Sequence, residues 1–506
     1  MNLAAVVDAH PADAVAIISR RRTTTYGALR DQAAHLRGGL AALGLEPGDR
    51  VAIVCGNNRH FVASYLAILG AGLVAAPLNP SSPAPELARE LEAVGVRAAV
   101  VGPTGARAFS RIDRSTVPSL DHVIATDPSG VVDGAAFDDL LAADPIDVVD
   151  WAADDIAVLL FTAGTAGSPK PAKLTHANLR SNIDQVLAHP ARLQRPDDLA
   201  FGVLPLFHIY GLNVVLGASL AAGAGVLLVE RFDPTSALAS LARHGVTIVS
   251  GAPTMYTAWA ALPDASADAF RGVRLAVSGA ARLPLEVFDT FRQRYGLTIH
   301  EGYGLTEASP AVTTSAGHDV RPGSIGVPLP GVEVRLVDAD GDDALVGDTG
   351  EIWVRGANVF AGYWGDDDAT ANALTPDGWL RTGDLAVVDD DGYLYLVDRA
   401  KDLIVVSGFN VYPGEVEEVL LEHPAVESAA VVGGPHPYSG EAVTAYAVAR
   451  PGASVEEDEV IGFCAERLAR YKCPDKVLFV DDLPRGLAGK VLRRDLRETP
   501  RPPQLA

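Results

Sequence analysis

The chain has 506 residues, 48% hydrophobic and 21% charged. At roughly 150 residues per domain this makes about three domain-sized masses, and the balance excludes wholesale disorder. Its 64 acidic against 41 basic side chains leave a formal charge of −23, which argues against general nucleic-acid or anionic-membrane binding. Cys55, Cys464 and Cys473 cannot build a disulfide framework and form no CxxC metal pair. They are expected to be reduced, ordinary small apolar residues of a cytoplasmic protein.

Met1–Ser19 carries Asp8 and Asp13 and no basic run, so no signal peptide is expected. From about Pro47 to Val337 short apolar runs alternate with helical stretches. The predicted strands include Val51–Val54, Ala98–Val101, Ile156–Phe161, Gly225–Val229, Thr247–Val249 and Leu275–Val277, and the predicted helices include Leu29–Leu43 and Ser236–His244. That alternation predicts an α/β fold of mostly parallel sheets covered by helices. Phe61–Pro80 and Gly211–Val229 are long and uncharged, but glycine, asparagine and proline break them. They read as a buried helix, a turn and a strand rather than as membrane spans.

After Gly331 the pattern changes to strands separated by Asp/Gly turns: Val332–Val337, Glu351–Arg355, Trp379–Arg381, Leu385–Val388 and Tyr393–Val397, a compact β module. The run from Asp338 to Asp342 resembles the opening of a calcium loop. Asp343 replaces its glycine and Thr349 its final glutamate, so it reads as a solvated turn. Beyond Asp398 lies a smaller α+β unit, with helices at Pro413–Glu422 and Glu457–Arg470 and strands at Ser428–Val432 and Val443–Ala449. The Pro-rich tail Thr499–Ala506 is expected to be disordered.

Only six of the 41 basic residues are lysine: Lys170, Lys173, Lys401, Lys472, Lys476 and Lys490. In a chain that otherwise uses arginine, a retained lysine points to a need for a compact ammonium. Lys170, Lys401 and Lys490 each fall in a segment with chemistry. The first segment, Leu159 to His176, runs from a buried strand into a loop holding Thr162, Gly164, Thr165, Gly167, Ser168 and Lys170. Glycines free backbone N–H groups to face an anion, hydroxyls add donors and lysine adds charge. Pro169 stands where a Walker loop needs its second glycine, so this is a different phosphate cradle.

Four further segments add to it. His300 to Pro310 sets Tyr303 between Gly302 and Gly304, followed by Thr306 and Glu307; Gly378 to Asp384 ends a strand on a carboxylate suited to ribose hydroxyls. Val397 to Ile404 is a charged link, and Leu483 to Lys490 presents a lysine on a Gly/Pro loop.

In this order the segments resemble the acyl-adenylate-forming superfamily of acyl-CoA synthetases, 4-coumarate–CoA ligases, adenylation domains and luciferase. The resemblance runs from about Arg22 to Arg494. It implies an N-terminal domain over residues 1–397, a hinge over 398–401 centred on Lys401, and a mobile C-terminal domain over 402–498. It also implies ATP, Mg2+ and coenzyme A as co-substrates and cofactor. Carried over by motif, Thr162, Gly164, Thr165, Gly167 and Lys170 would grip the ATP phosphates. Gly279, Ala280, Ala281, Glu301, Gly302 and Tyr303 would line the adenine and acyl sites. Thr306 would meet the α-phosphate, Glu307 would bind Mg2+, Asp384 and Arg399 would hold the ribose, and Lys490 would be the adenylation lysine. The phosphate loop departs from the family pattern: Ala163, Ala166 and Pro171 stand where a serine, a threonine and a glycine are usual. Two side-chain donors are thereby lost, which predicts weaker ATP binding.

Leu204 to Asn213 resembles the Pro-x-Phe-His stretch of CoA ligases, placing His208 at the mouth of an acyl pocket and Tyr210 along its wall. Gly211, Ala252, Ala280, Gly304 and Ala308 would complete a lining without cations, which favours an aliphatic (medium- or long-chain fatty) or aryl monocarboxylate over a dicarboxylate. Val406 to Pro413 resembles the loop beside the pantetheine tunnel, with Gly408 and Phe409 flanking the thiol arm. Arg355, Arg470, Lys472 and Arg485 are candidate cations for the outer phosphates of CoA. The expected partners are thus a small carboxylic acid and CoA, with no nucleic acid and no integral membrane segment; a homodimer is left open. An AMP-forming carboxylic acid–CoA ligase is the leading reading. The alternatives are a stand-alone enzyme loading the phosphopantetheine of a carrier protein and a non-catalytic nucleotide-binding relative.

Overall fold

The structure is a computed structural model that describes residues 2–127, 131–163, 169–263, 265–281, 283–338, 340–399, 404–411, 413–453, 455–484, 493 and 496. One sheet runs, in spatial order, Ala135–Ala136, His122–Ala125, Ala98–Val101, Arg50–Val54, Val74–Pro77, Ile156–Ala163 and Pro169–Thr175. Its neighbours are parallel except the last pair, a hairpin that sets Thr162 opposite Lys170. Along the central strand alternate side chains feed two different cores: Val51 and Ile53 one, Ala52 and Val54 the other. A strand buried on both faces must be apolar at every position, which explains the continuous hydrophobic run.

The larger sheet runs Val327–Pro328, Ala311–Thr314, Ile299–Gly304, Leu275–Ser278, Ile248–Gly251, Leu199–Gly202, Gly225–Leu228, Val15–Ser19 and Arg22–Thr25. It is parallel through the middle and antiparallel at both ends. The two long uncharged stretches fold as the sequence predicts. Phe61–Pro80 supplies most of a helix, Arg59–Gly70, capped by the Asn58 side chain, and then the strand Val74–Pro77. Gly211–Val229 forms a widely wound helix at Tyr210–Gly217, an α-helical turn at Ala218–Ala222 and the strand Gly225–Leu228. Among the described residues no helix is long and apolar enough to cross a membrane.

The β module is an antiparallel sheet of Glu333–Val337, Gly350–Arg355, Leu380–Val388 and Leu394–Arg399. The two short strands expected at Trp379–Arg381 and Leu385–Val388 are one strand. Its register against Gly350–Arg355 shifts between the Arg381 and Leu385 pairs, so a bulge at Thr382–Asp384 interrupts the apolar pattern without ending the pairing. In the expected calcium-like turn, Asp338 Oδ1 accepts from the backbone N–H groups of Asp340 and Asp342, an ordinary local Asp turn.

The last sheet orders Phe409–Val411, Ile404–Val406, Gly440–Ala449 and Val426–His436, with Lys476–Phe479 parallel to Gly440–Ala449. Pro413–Glu422 and Glu457–Ala465 are its helices. The second stops well short of the expected Arg470. The chain leaves the helix to bury Leu468 and Ala469 and closes a tight 3-10 turn at Arg470–Lys472, because the Ala469 N–H is taken by a carboxylate of another element, Glu86.

Candidate active site

The carboxyl ends of the parallel strands of the larger sheet converge on one cleft, the usual ligand side of an open α/β sheet. Leu275–Ser278 delivers Gly279, Ala280 and Ala281, Ile248–Gly251 delivers Ala252, and Ile299–Gly304 carries Glu301, Gly302 and Tyr303. The hairpin strand Ile156–Ala163 brings Thr162 to the same place from the other sheet.

Glu307 sits in the short 3-10 turn Thr306–Ala308. Its Oε1 accepts from Thr162 Oγ1 at 3.1 Å and from the Tyr363 hydroxyl at 2.7 Å. The turn is pinned from below: Phe360 N–H donates to the Glu307 carbonyl at 2.9 Å, and Asn358 Nδ2 donates to the Ala308 carbonyl at 2.8 Å. Two donors on one carboxylate oxygen fix the rotamer. Among the described residues no cage of three or more His, Cys, Asp or Glu side chains assembles for a metal ion. A single oriented carboxylate suits Mg2+, which takes most of its ligands from phosphate and water.

Lys170 reaches out of the hairpin to Asp366, Nζ to Oδ2 2.6 Å, with its ammonium 5.8 Å from the centre of the Tyr363 ring. The Lys170 ammonium, with help from the Ala369 N–H, holds the Asp366 carboxyl below the usual carboxylate range. Neither Tyr363 nor Asp366 was singled out from the sequence. They arrive because the segment 361–366 lies against the edge strand Pro169–Thr175: Lys173 N–H donates to the Gly362 carbonyl, Ala361 N–H donates to the Lys173 carbonyl, and Trp364 N–H donates to the Pro171 carbonyl.

The Tyr303 hydroxyl donates to Asp384 Oδ2 at 2.7 Å, which unites the aromatic and the carboxylate read separately from the sequence. Glu301 is buried and accepts from the backbone N–H groups of Leu283 and Gly323, tying together two loops at the rim. Gly302 and Gly304 lie on the strand beside it, and a Cβ at Gly304 would fall 2.1 Å from the Pro310 carbonyl oxygen.

On the opposite wall, His208 lines the cleft, with its Nδ1 accepting from the Tyr210 N–H at 3.3 Å. Burial of the rest of the ring holds its pKa down, to about 4, so the imidazole is neutral at neutral pH. Tyr210 lies over Gly279, where a Cβ would come within 2.9 Å of the tyrosine ring. Its hydroxyl is buried with the Ser250 side chain as its polar neighbour, and burial raises its pKa against the pull of Ser250. Gly211 continues the wall, Ala252 and Ala308 are buried within it, and Ala280 holds a left-handed φ of 70°.

The C-terminal unit meets this wall directly. Gly408, at φ 84°, faces Ala252 so closely that a Cβ would sit 3.0 Å from the Ala252 Cβ. Phe409 is stacked between Phe207, at 6.3 Å, and Tyr471, at 4.5 Å. Of the expected CoA cations, Lys472 is buried against Glu86 and Glu415, and Arg355 is paired with Glu333. The burial of Lys472 corrects the sequence reading, because its charge is already matched inside the protein, whereas Arg355 and Glu333 pair on the surface. Gly164, Thr165, Gly167, Lys401, Arg485 and Lys490 lie outside the described residues, as does the Arg399 side chain.

Residues 3–364 match the family model described as AMP-binding enzyme, and residues 415–490 match that of the AMP-binding enzyme C-terminal domain. The chain belongs to this family. It is 37% identical to a feruloyl-CoA synthase of Amycolatopsis sp, covering 94% of this chain and 93% of that one. It is 36% identical to a long-chain-fatty-acid–CoA ligase of Yersinia pestis, covering 96% and 92%. Among solved structures, amide bond synthetase McbA from Marinactinospora thermotolerans superposes with a TM-score of 0.87 at 31% identity, over 98% of this chain and 99% of that one. A double mutant of o-succinylbenzoate CoA synthetase from Bacillus subtilis, bound to a product analogue, gives 0.84 at 30% identity over 98% of each chain. ATP-bound MatB from Rhodopseudomonas palustris gives 0.74 at 34% identity, over 98% and 99%. The chain is an AMP-forming acid–thiol ligase, a class that uses ATP, Mg2+ and CoA.

Proposed function

We propose that this enzyme is a carboxylic acid–CoA ligase for aryl acids bearing a ring hydroxyl, of the hydroxycinnamate type, working through an acyl-AMP. The observation that carries the choice of acid is the buried hydroxyl of Tyr210 beside Gly279, which has the Ser250 side chain as its polar neighbour and no partner at full hydrogen-bond geometry. An unpaired buried hydroxyl costs about 1–3 kcal/mol, which a hydroxyl on the substrate ring offsets and an alkyl chain does not. The feruloyl-CoA synthase relative supports the same choice.

In the first half-reaction a carboxylate oxygen attacks the α-phosphorus of ATP and pyrophosphate leaves. In the second, a thiolate attacks the acyl carbon and AMP leaves. No side chain is needed as a nucleophile, so the residues act by position and charge. Thr162, Lys170 and Thr306 would face the phosphates, Glu307 would hold Mg2+, which neutralises phosphate charge when bound, and Asp384 with Tyr303 would take the ribose and adenine. Lys490 would neutralise the reacting carboxylate and α-phosphate. The neutral His208 can stand beside an anionic carboxylate without trapping it as an ion pair. Gly408 and Phe409 would flank the thiol arm, and the unit from about residue 402 would be the part that moves.

Pyrophosphate release and thioester formation should be measured with ferulate, 4-coumarate, unsubstituted cinnamate, octanoate and palmitate. Hydroxylated aryl acids should give the highest kcat/KM, and Tyr210→Phe should narrow the gap between coumarate and cinnamate. A preference for palmitate would overturn the aryl reading. Acyl-AMP release without thioester from free CoA would move the acceptor to a carrier-protein arm.

A further inference from the structure

Glu86 and Glu90 stand one turn apart on the helix Ala84–Ala93, which covers the smaller parallel sheet, and both are buried. The Glu86 side chain reaches across to the C-terminal unit. Glu86 Oε2 accepts from the backbone N–H of Ala469 at 2.8 Å, and Glu86 Oε1 accepts from Lys472 Nζ at 2.7 Å. Lys472 is itself buried and also donates to Glu415 Oε1 at 2.9 Å, within the C-terminal unit. Two carboxylates, Glu86 and Glu415, therefore share one ammonium, and Glu90 is buried one helical turn from Glu86. One oxygen of Glu90 and one of Glu415 are buried without partners.

The same turn of chain carries the contact to the active site. Tyr471, between Arg470 and Lys472, stacks on Phe409, Phe409 stacks on Phe207, and Gly408 meets Ala252. Glu86, Glu90, Lys472, Tyr471, Phe409 and His208 line one continuous cleft.

We propose that Glu86 is a positioning residue for the thiol-transfer half-reaction: a latch that grips Ala469 and Lys472 and keeps Gly408 and Phe409 at the acyl site. This rests on the acid–CoA ligase reading and on a C-terminal unit that moves between half-reactions. The groups around Glu90 fix the sign of its pH dependence. Burial first, then the Glu86 and Glu415 carboxylates, drive its pKa up, to about 8, while Lys472 and Arg89 pull it down. Tyr471, beside them, stays neutral because burial raises its pKa. With the latch open, Glu90 returns to an ordinary carboxylate value. Closing therefore takes up a proton, and the closing equilibrium should fall as pH rises toward about 8, then level off.

The test uses the full chain and needs no substrate. Leu345 and Tyr438 are exposed, one on each unit, and Cys55, Cys464 and Cys473 are all buried. Spin labels on L345C and Y438C report the distance between the units from pH 6 to 9. The distance of this structure should dominate at pH 6 and lose population toward pH 8. Glu86→Gln should deplete it at every pH, and Glu90→Gln should keep it with a flat pH profile. In single turnovers with ferulate as the probe acid, Glu86→Gln should slow thioester formation from pre-made feruloyl-AMP at least tenfold and leave pyrophosphate release within twofold, and Glu86→Asp should restore part of the loss. Unchanged distances in Glu86→Gln, or equal slowing of both half-reactions, would overturn the latch. Distances that shift as stated in an enzyme that does not activate ferulate would leave the latch standing and refute the choice of acid alone.

Discussion

The Lys170 ammonium lies 2.6 Å from the Asp366 carboxylate, so the cation read from the sequence as a phosphate ligand is held by an anion 196 residues away. ATP phosphates and Asp366 must compete for it. Asp366 also caps the helix Asp367–Ala373, its Oδ1 accepting from the Ala369 N–H. Asparagine keeps the cap and removes the charge. Asp366→Asn should therefore lower the ATP KM, by about two- to fivefold given the partial exposure of the pair, with kcat little changed. Initial rates of pyrophosphate release against ATP check this. A raised KM would show that Asp366 aims Lys170 rather than competing for it.

Tyr363 and Thr162 converge on the same oxygen of Glu307. Tyr363→Phe keeps the ring under Lys170 but deletes one of the two donors that fix the carboxylate. The Mg2+ concentration for half-maximal adenylation should rise severalfold, and calorimetric binding of Mg2+ and ATP together should weaken, while ATP binding without Mg2+ stays near wild type. Equal weakening with and without Mg2+ would make Tyr363 a packing residue only.

How much of this was legible follows from what each residue depends on. Strands buried on both faces show as unbroken apolar runs, and Ala98–Val101 falls within its expected limits. Glu307 and Asp384 lie in short segments whose residue types could be read locally as candidates, whereas Gly279 came only through the family resemblance. Tyr363, Asp366, Glu86 and Glu90 matter only through partners far along the chain. The sequence around Glu86 reads as an ordinary charged helix face, and nothing local marks two of its carboxylates as buried. Lys472 shows the converse: its rarity as a lysine was visible, but its role was misread because only the fold supplies Glu86 and Glu415. The helix Glu457–Ala465 was over-extended for the same reason, since the Ala469 N–H that ends the helical pattern bonds across to Glu86.

His176 predicts a pH response of stability distinct from that of the latch. Its ring is buried, and Nδ1 accepts from the Leu3 N–H at 3.0 Å, so the neutral form is required. Burial chiefly, with the chain's amino-terminal charge, lowers its pKa from 6.5 to about 4. Between those values the unfolded chain binds a proton that the folded one refuses, so stability falls as pH drops through that window, by up to about 1.4 kcal/mol per pH unit. Calorimetric Tm should decline from pH 6.5 to 4.5. His176→Asn keeps an acceptor for Leu3 without a titrating group and should flatten part of that decline. An equal slope in both proteins would assign the acid response to other groups.

Gly408 gives the sharpest separation of the two half-reactions. Its φ of 84° lies in the left-handed region, and the absent Cβ would stand 3.0 Å from the Ala252 Cβ and 3.7 Å from the Ala280 Cβ. Alanine there meets two costs: about 1–2 kcal/mol for the backbone conformation and a further penalty for the tight contact. Both apply to the arrangement in which the C-terminal unit touches the acyl wall. Gly408→Ala should therefore slow thioester formation from pre-made acyl-AMP by about tenfold or more, while pyrophosphate release from acid and ATP stays near wild type. The two costs can be separated by adding Ala252→Gly, which removes the crowded methyl and leaves the φ strain. The double variant should recover part of the lost thioester rate and not all of it. Full recovery would mean that the backbone conformation at residue 408 carries no cost. Equal slowing of pyrophosphate release would mean that the contact between Gly408 and Ala252 serves both half-reactions, and the assignment of this loop to the thiol step would fall.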